Sequence, residues 1–334
     1  MSATSSKPTK QEINTLIKSL EKDRKSRVIV YITGDKQPAQ HFATVIASDI
    51  LSKFKKILKS IGHTKKISLA IYTNGGNLET PWPLVNLIRE HCDEFEVVVI
   101  EKSLSAGTLI ALGADKIIMT PYSYLSPIDP ATNVQDQNNK QKHIEIEDIT
   151  GYIDFVKDKI GITEQGALCE IMKDLTKEVP PSLLGSINRT HSLVRRLAKN
   201  LLGLHKEKVP ERQSKEIIEH LVQKLFSHKH LISRKEAHQI GFDNLVVFTN
   251  KTSEKIIEDL TDGYLEYLEI ETEFDPIDIL GKDSKKEIVL NRALVHSSKE
   301  KFDFQSRYML QKVKDPQGNE QIAFNVLSNK WVKI

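Results

Sequence analysis

The chain has 334 residues, 39% of them hydrophobic and 28% charged, a balance that excludes a disordered polypeptide and exceeds one average domain. A formal net charge of +3 is too small to make nucleic acid the main partner, and two cysteines, Cys92 and Cys169, exclude a disulfide framework and a cysteine-rich zinc site. No stretch approaches the roughly 18 consecutive apolar residues of a membrane span, and residues 1–10 are Ser/Thr/Lys-rich without the apolar run of a signal peptide. A cytoplasmic protein is expected, with no integral membrane segment, no nucleic-acid partner, no metal and no cofactor.

Residues 1–10 read as a tail, and 11–24 space Ile13, Leu16, Ile17 and Leu20 along one helical stripe. A strand-then-helix rhythm follows. Strands are predicted at 28–33, 67–73, 95–100 and 116–119, and helices at 41–61, 84–91 and 106–112. Such alternation predicts a parallel sheet with right-handed βα connections. Residues 133–142 are polar and almost without apolar anchors, which predicts an exposed loop. The stretch 149–204 is mostly helical, interrupted at Pro180-Pro181, and 214–226 is another amphipathic helix. Ser233-Arg-Lys-Glu236 has capping-box spacing, and 245–248 returns to strand. Beyond Thr249 come a helix at 256–268 and a β-rich tail. Its strands at 308–314 and 322–327 flank Asp315-Pro-Gln-Gly318-Asn as a hairpin. The expected division is an N-terminal tail and helix (1–25), a main α/β domain (26–248) and a small C-terminal α+β extension (249–334).

Two strand-to-helix junctions carry the chemistry. In Thr73-Asn74-Gly75-Gly76 the paired glycines permit unusual φ values and let backbone N–H groups approach a ligand closely, as an oxyanion requires. A Gly-Gly pair alone is more often just a turn. In Ser103-Leu104-Ser105-Ala106-Gly107-Thr108 a serine begins a helix, where developing negative charge is favoured, although for this segment alone plain N-capping is the more ordinary reading. Chain order adds weight. One helix and one strand separate the junctions, so adjacent parallel strands would bring both to one sheet edge.

The Asn-Gly-Gly turn, Ser105-Ala-Gly-Thr-Leu-Ile-Ala-Leu-Gly-Ala-Asp115 and Ser126-Pro-Ile-Asp-Pro130 together resemble the serine dehydrogenase proteinase family. Pro181-Ser-Leu-Leu-Gly-Ser-Ile-Asn-Arg189, Arg196-Leu-Ala-Lys-Asn-Leu-Leu202, Leu225-Phe-Ser-His228 and Ile232-Ser-Arg-Lys-Glu-Ala-His-Gln-Ile-Gly241 extend the resemblance over residues 28–248. That family is related to Clp proteolytic subunits, signal peptide peptidase A and the NfeD-type proteases. The resemblance implies a Clp/crotonase-like spiral of βα units, peptide or protein substrates, and a homo-oligomer packed through flanking amphipathic helices. Ser105 matches the nucleophile, and the N–H groups of Ala106 and of Gly75 or Gly76 match the oxyanion hole. Ser103 does not match the nucleophile and is expected to be structural.

The general base breaks the pattern. Ile128-Asp129-Pro130 fills the position of the Clp histidine, and Lys229 falls near that of its acidic partner, so the Ser-His-Asp triad is not reproduced. Asp148 falls where the NfeD-type proteases carry their lysine. The remaining candidates are Lys142 and His143, with Lys140 just upstream on the polar loop, and His228, whose segment matches one that reaches the Clp active site. Each has a bland reading as a solvated residue. Two other functions stay open: a binding or scaffold protein that has lost proteolysis, and a crotonase-type acyl-CoA enzyme that does not need Ser105.

Overall fold

The computed structural model describes residues 8–128, 131–135, 141–224, 230–314 and 317–334. Helix α1 (Lys10–Arg24) opens on Thr9, whose hydroxyl accepts from Glu12 N–H while the Glu12 carboxylate takes Thr9 N–H; the helix buries Ile13, Ile17 and Leu20. Strand β1 (Arg27–Thr33), α2 (Ala39–Phe42), α3 (Leu51–Ile61), β2 (Thr64–Thr73), α4 (Pro81–Arg89) and β3 (Cys92–Ser103) follow. The helix expected over 41–61 is divided, because residues 43–47 leave helical geometry and Ile46 forms a bridge to Gly76. After α5 (Ala106–Leu112), β4 (Lys116–Met119) and β5 (Tyr124–Leu125) comes a hairpin of β6 (Ala131–Gln135) and β7 (Gln141–Glu145). Part of the polar stretch read as a loop is therefore paired strand.

Helices α6 (Ile146–Asp154), α7 (Gln165–Glu178), α8 (Pro181–Leu202) and α9 (Glu211–Glu219) lead to β8 (Ile232–Ser233), α10 (Arg234–Ala237) and β9 (Val246–Phe248). The Ser233 hydroxyl caps α10 by accepting from Glu236 N–H. The chain then forms α11 (Lys251–Tyr267), α12 (Pro276–Leu280), β10 (Lys285–Ser297), β11 (Lys301–Lys314) and β12 (Glu320–Lys333).

One sheet organises these elements in the order β12-β11-β10-β1-β2-β3-β4-β9, with β1, β2, β3, β4 and β9 parallel. The parallel strands are apolar on both faces because helices cover both. On one face Ile29, Tyr31, Leu69, Ile71, Val97 and Val99 join side chains of α3, α4, α5 and α8 in a single core. On the other, Val28, Val30, Ile32, Ala70 and Val98 join those of α1 and α11. The two helices on that face approach closely: a Cβ on Gly263 would stand 2.5 Å from Leu16 Cδ1. Residues beyond 249 are built into the same sheet. Strand β10 runs antiparallel to β1, from Ile29↔Ser297 to Thr33↔Ala293, and β11 and β12 form a hairpin with longer arms than the sequence indicated.

Buried Glu96 ties the N-terminal helix to the sheet. Its carboxylate accepts from Arg24 Nε (2.9 Å) and Nη2 (3.0 Å), from the Ser68 hydroxyl and from Lys66 Nζ (3.3 Å). Burial pushes its pKa up, but Arg24, Ser68 and Lys66 outweigh burial and hold it below the ordinary carboxylate value of 4.5. A depressed folded pKa contributes stability above the unfolded value, which is lost as pH falls through the folded one. Glu96→Gln should cost roughly 3 kcal/mol in urea unfolding at pH 7, since half-buried Arg24 loses its two-pronged carboxylate and keeps, among the described residues, only Asp23, at 3.9 Å. The gap to wild type should narrow as the pH is taken below 4.5.

Candidate active site

Strands β2 and β3 end side by side, with Thr73 opposite Ser103, and the two turns that follow touch. Gly75 and Gly76 have φ of +104° and +148°, in the region that favours glycine. A Cβ on Gly75 would stand 2.8 Å from both Leu104 O and Ser105 Cβ, and one on Gly76 would stand 2.4 Å from Ile46 O. The close approach explains both glycines. Ile46 fastens the first turn: its N–H donates to Gly75 O (2.8 Å) and its carbonyl accepts from Asn77 N–H (2.8 Å).

Ser105 has φ +49° and ψ −111°, a conformation costly for a residue with a Cβ. It stands at a sharp strand-to-helix turn immediately before α5. Its N–H donates to Ser126 Oγ (2.8 Å), its carbonyl accepts from Leu109 N–H (3.1 Å), and Leu104 N–H donates to Thr73 O (3.0 Å). The Thr108 hydroxyl donates to Ser103 O (2.8 Å) and accepts from Ser126 N–H (3.1 Å), fixing the Ser126 segment beside the turn. Helix α5 rests against the strand ends through Gly107, where a Cβ would meet Thr73 Cγ2 at 2.5 Å.

Two hydroxyls decide which amides stay open. Thr73 Oγ1 accepts from Gly75 N–H (2.9 Å) and Ser126 Oγ takes Ser105 N–H (2.8 Å). The next N–H on each turn, Gly76 and Ala106, has no acceptor among the described residues. Ser105 is half-buried and its hydroxyl has no hydrogen-bond partner among them. Ser103, by contrast, is fully buried beneath α5, and its Oγ has no partner among the described residues.

Residues Lys142 and His143 lie on β7, paired in register with Val134 and Asn133. His228 lies outside the described residues, as do Asp129, Lys140 and Lys229. His230 is engaged by Glu236, with Nε2 2.6 Å from Oε1. The fully buried His296 is also engaged at both nitrogens: Nε2–H donates to Asp303 (2.7 Å), and Nδ1 accepts from Tyr264 OH (3.2 Å). Burial pushes its pKa below the ordinary histidine value, so it serves as a neutral polar tie between β10, β11 and α11. Among the described residues no three His, Cys, Asp or Glu side chains are grouped to hold a metal. A cleft of about 410 Å³ lined by Asp115, Lys116 and His205 lies at the start of β4, the opposite end of the sheet from Ser105.

Sequence reasoning assigned no role to Thr73, Ser126 or Asp35. The Asp35 carboxylate, on the turn after β1, accepts from Tyr72 OH (3.0 Å), Asn74 Nδ2 (3.3 Å) and Lys102 Nζ (2.5 Å). One signal was present: each of the three consecutive strand ends carries a polar residue able to pair, Asp35, Asn74 and Lys102.

Strand order and parallel pairing define an α/β protein of the ClpP-like class. Residues 4–179, more than half of the chain, match the family of ClpP-like SDH-type serine proteinases, and the chain belongs to that family. An uncharacterized protein of Methanocaldococcus jannaschii is 26% identical over 234 residues, covering 68% of this chain and 71% of the relative. A second uncharacterized protein of that organism is 22% identical over 236 residues, covering 68% and 69%. Among solved structures, a serine-to-alanine mutant of the 1510-N membrane-bound stomatin-specific protease is 17% identical, covering 69% of this chain and 85% of that one with a TM-score of 0.38. ClpP1 from Listeria monocytogenes is likewise 17% identical, covering 72% and 97% with a TM-score of 0.36. Among the described residues no helix is long and apolar enough to cross a membrane.

Beside the site, Glu101 (φ +74°) shares a hollow of about 320 Å³ with Glu258, Asp262 and Glu271. Burial pushes its pKa up; Lys102 opposes this, and Asp35, Glu271 and Asp262 reinforce it. A raised carboxyl pKa means that the unfolded chain ionises first, so stability is lost as pH rises through 4.5 towards the folded value. Glu101→Gln should therefore be more stable than wild type at pH 7, by about 1–2 °C in Tm. The difference should disappear below pH 4.5 in thermal melts.

Proposed function

We propose that this chain is a serine endopeptidase that hydrolyses peptide bonds through a Ser105 acyl-enzyme. The observation that carries the reading is the pair of open amides, Gly76 N–H and Ala106 N–H, on two turns packed against each other at the Ser105 backbone. Ser105 Oγ attacks the substrate carbonyl carbon while a general base takes its proton. The two amides hold the oxyanion of the tetrahedral intermediate. That intermediate collapses as the C–N bond breaks, and the leaving amine receives the proton from the base. Water, deprotonated by the same base, then attacks the acyl carbon and frees Ser105 and the carboxylate product. Of the two amides on the glycine turn, Gly76 is the better donor, because Gly75 N–H is taken up by Thr73.

The base is proposed to come from Lys142 or His143, with His228 as the next candidate. The polarity of the β7 segment that carries the first two suits a titrating group. A lysine in this role needs its pKa lowered by burial.

Ser105→Ala should lower peptide hydrolysis at least about 1,000-fold and abolish labelling by a fluorophosphonate, while circular dichroism stays native. Ser103→Ala should leave both near wild type, because its hydroxyl is sealed beneath α5. Equal loss from the two variants would sink the assignment of Ser105.

The pH profile distinguishes the bases. Activity should rise with pH as the base loses its proton. A midpoint near about 6.5 assigns a histidine, His143 or His228, and a midpoint well above that, abolished by Lys142→Ala, assigns the lysine. A rate flat from pH 5 to 9 would remove all three.

A further inference from the structure

The ladder between β2 and β3 is interrupted where its alignment matters most. It runs in register from Thr64↔Cys92 to Ile71↔Val99 and resumes at Thr73↔Ser103. Tyr72 alone is thus set against Ile100, Glu101 and Lys102, and Glu101 takes a positive φ of +74° within the bulge. Between Ile71 and Thr73 the ladder does not set the offset of the two strands, and beyond the bulge only the Thr73↔Ser103 pair and the bond from Leu104 N–H to Thr73 O (3.0 Å) restore it. The offset decides whether the Gly76 and Ala106 amides converge.

Asp35 spans this gap. We infer that the Asp35 carboxylate is a positioning residue, which holds the glycine turn in line with the Ser105 turn by clamping Tyr72 and Asn74 at the end of β2 to Lys102 at the end of β3. Oδ1 accepts from Tyr72 OH (3.0 Å), and Oδ2 accepts from both Asn74 Nδ2 (3.3 Å) and Lys102 Nζ (2.5 Å). Asn74 directly precedes Gly75, and Lys102 stands three residues before Ser105. Lys102 Nζ also lies 4.8 Å from the centre of the Tyr72 ring. The Asp35 and Lys102 side chains are 17% and 19% exposed, so their attraction is weakly screened.

The clamp has its own anchor. Gly34 N–H donates to Arg292 O (2.9 Å), and buried Lys36 donates to Glu269 O (2.6 Å) and Thr272 O (2.7 Å). Asp35 is thereby held from both sides by the segment beyond residue 249, while it holds the two turns. A carboxylate that only stabilised the fold would not change the reaction at the serine.

This inference rests on the peptidase reading, and the experiment separates the two. Fluorophosphonate labelling and peptide hydrolysis are measured on the full chain for wild type, Ser105→Ala, Asp35→Ala and Asn74→Ala. Asp35→Ala should lower kcat by about 10–100-fold, with KM changed less than about twofold, and slow labelling in parallel. Asn74→Ala, at an exposed position that loses a single contact, should fold even if Asp35→Ala does not, and should show a smaller loss in kcat at constant KM. Labelling that survives Ser105→Ala overturns the peptidase reading and this inference with it. Ser105-dependent labelling at the wild-type rate in folded Asp35→Ala or Asn74→Ala, or a loss confined to KM or Tm, overturns this inference alone.

Discussion

The contact between the Gly75 backbone and the Ser105 backbone sets the terms for this end of the sheet. With 2.8 Å between Ser105 Cβ and where a Gly75 Cβ would be, no side chain fits at the first glycine, and the turn must adopt a φ of +104°. The same crowding recurs one residue on, where Ile46 presses on Gly76, and beneath α5, where Gly107 admits Thr73. Each close approach needs a glycine. Each is then secured by a hydrogen bond from a residue distant in sequence: Ile46 to Gly75 O, Leu104 to Thr73 O, Ser105 to Ser126 Oγ. A positive φ at Ser105 costs on the order of 1–3 kcal/mol and persists because these neighbours leave the turn no room to relax.

That constraint reaches into the C-terminal segment. Residues 43–47 lie against the glycine turn and are gripped in turn by Arg292, whose guanidinium donates to the carbonyls of Phe42 (2.8 Å) and Ala43 (2.7 Å). Thr44 donates to Arg292 O (3.0 Å), and Tyr308 OH donates to His41 O (2.8 Å). Strand β10 beside β1 is therefore more than an added edge. Through Arg292 it backs the segment that holds Gly75 and Gly76 in place.

The sequence carried the parallel strands β1 to β4 and β9 and the two junctions, because each is a local signal: an apolar run of strand length, closed at β2 by Asn-Gly-Gly and at β3 by Ser-Ala-Gly. What it did not carry depends on partners far apart in the chain. Ser126 was visible within a family motif, but its role requires knowing that its hydroxyl meets an amide 21 residues earlier. Asp35 lies 67 residues from Lys102, and no spacing rule connects them. The β6–β7 hairpin was missed for a different reason. A two-stranded ribbon is held by backbone bonds, so residues 133–135 and 141–142 can pair without the apolar alternation by which strands are recognised. Helix 41–61 failed where tertiary contact overrode local preference: Ile46 fits a helical stripe, yet its N–H and carbonyl are claimed by the glycine turn.

The two turns share one design, which bears on why a serine and a glycine that look ordinary in sequence are arranged for chemistry. On each turn a hydroxyl takes the first amide and leaves the second open: Thr73 takes Gly75 N–H and leaves Gly76, and Ser126 takes Ser105 N–H and leaves Ala106. Without these hydroxyls the first amides would compete with the second for the same anion and the turns would be freer to rotate. An amide left without an acceptor costs about 1–3 kcal/mol where water is excluded, which is tolerable when a ligand oxygen supplies the missing bond. On the proposed reading that oxygen is the oxyanion, whose charge develops only as Ser105 attacks, so the bonds to it strengthen on the way to the transition state rather than in the bound substrate. The first of these hydroxyls, that of Thr73, also meets Thr33 Oγ1 at 2.7 Å, which extends the same chain of bonds to the end of β1 and hence to the turn that carries Asp35.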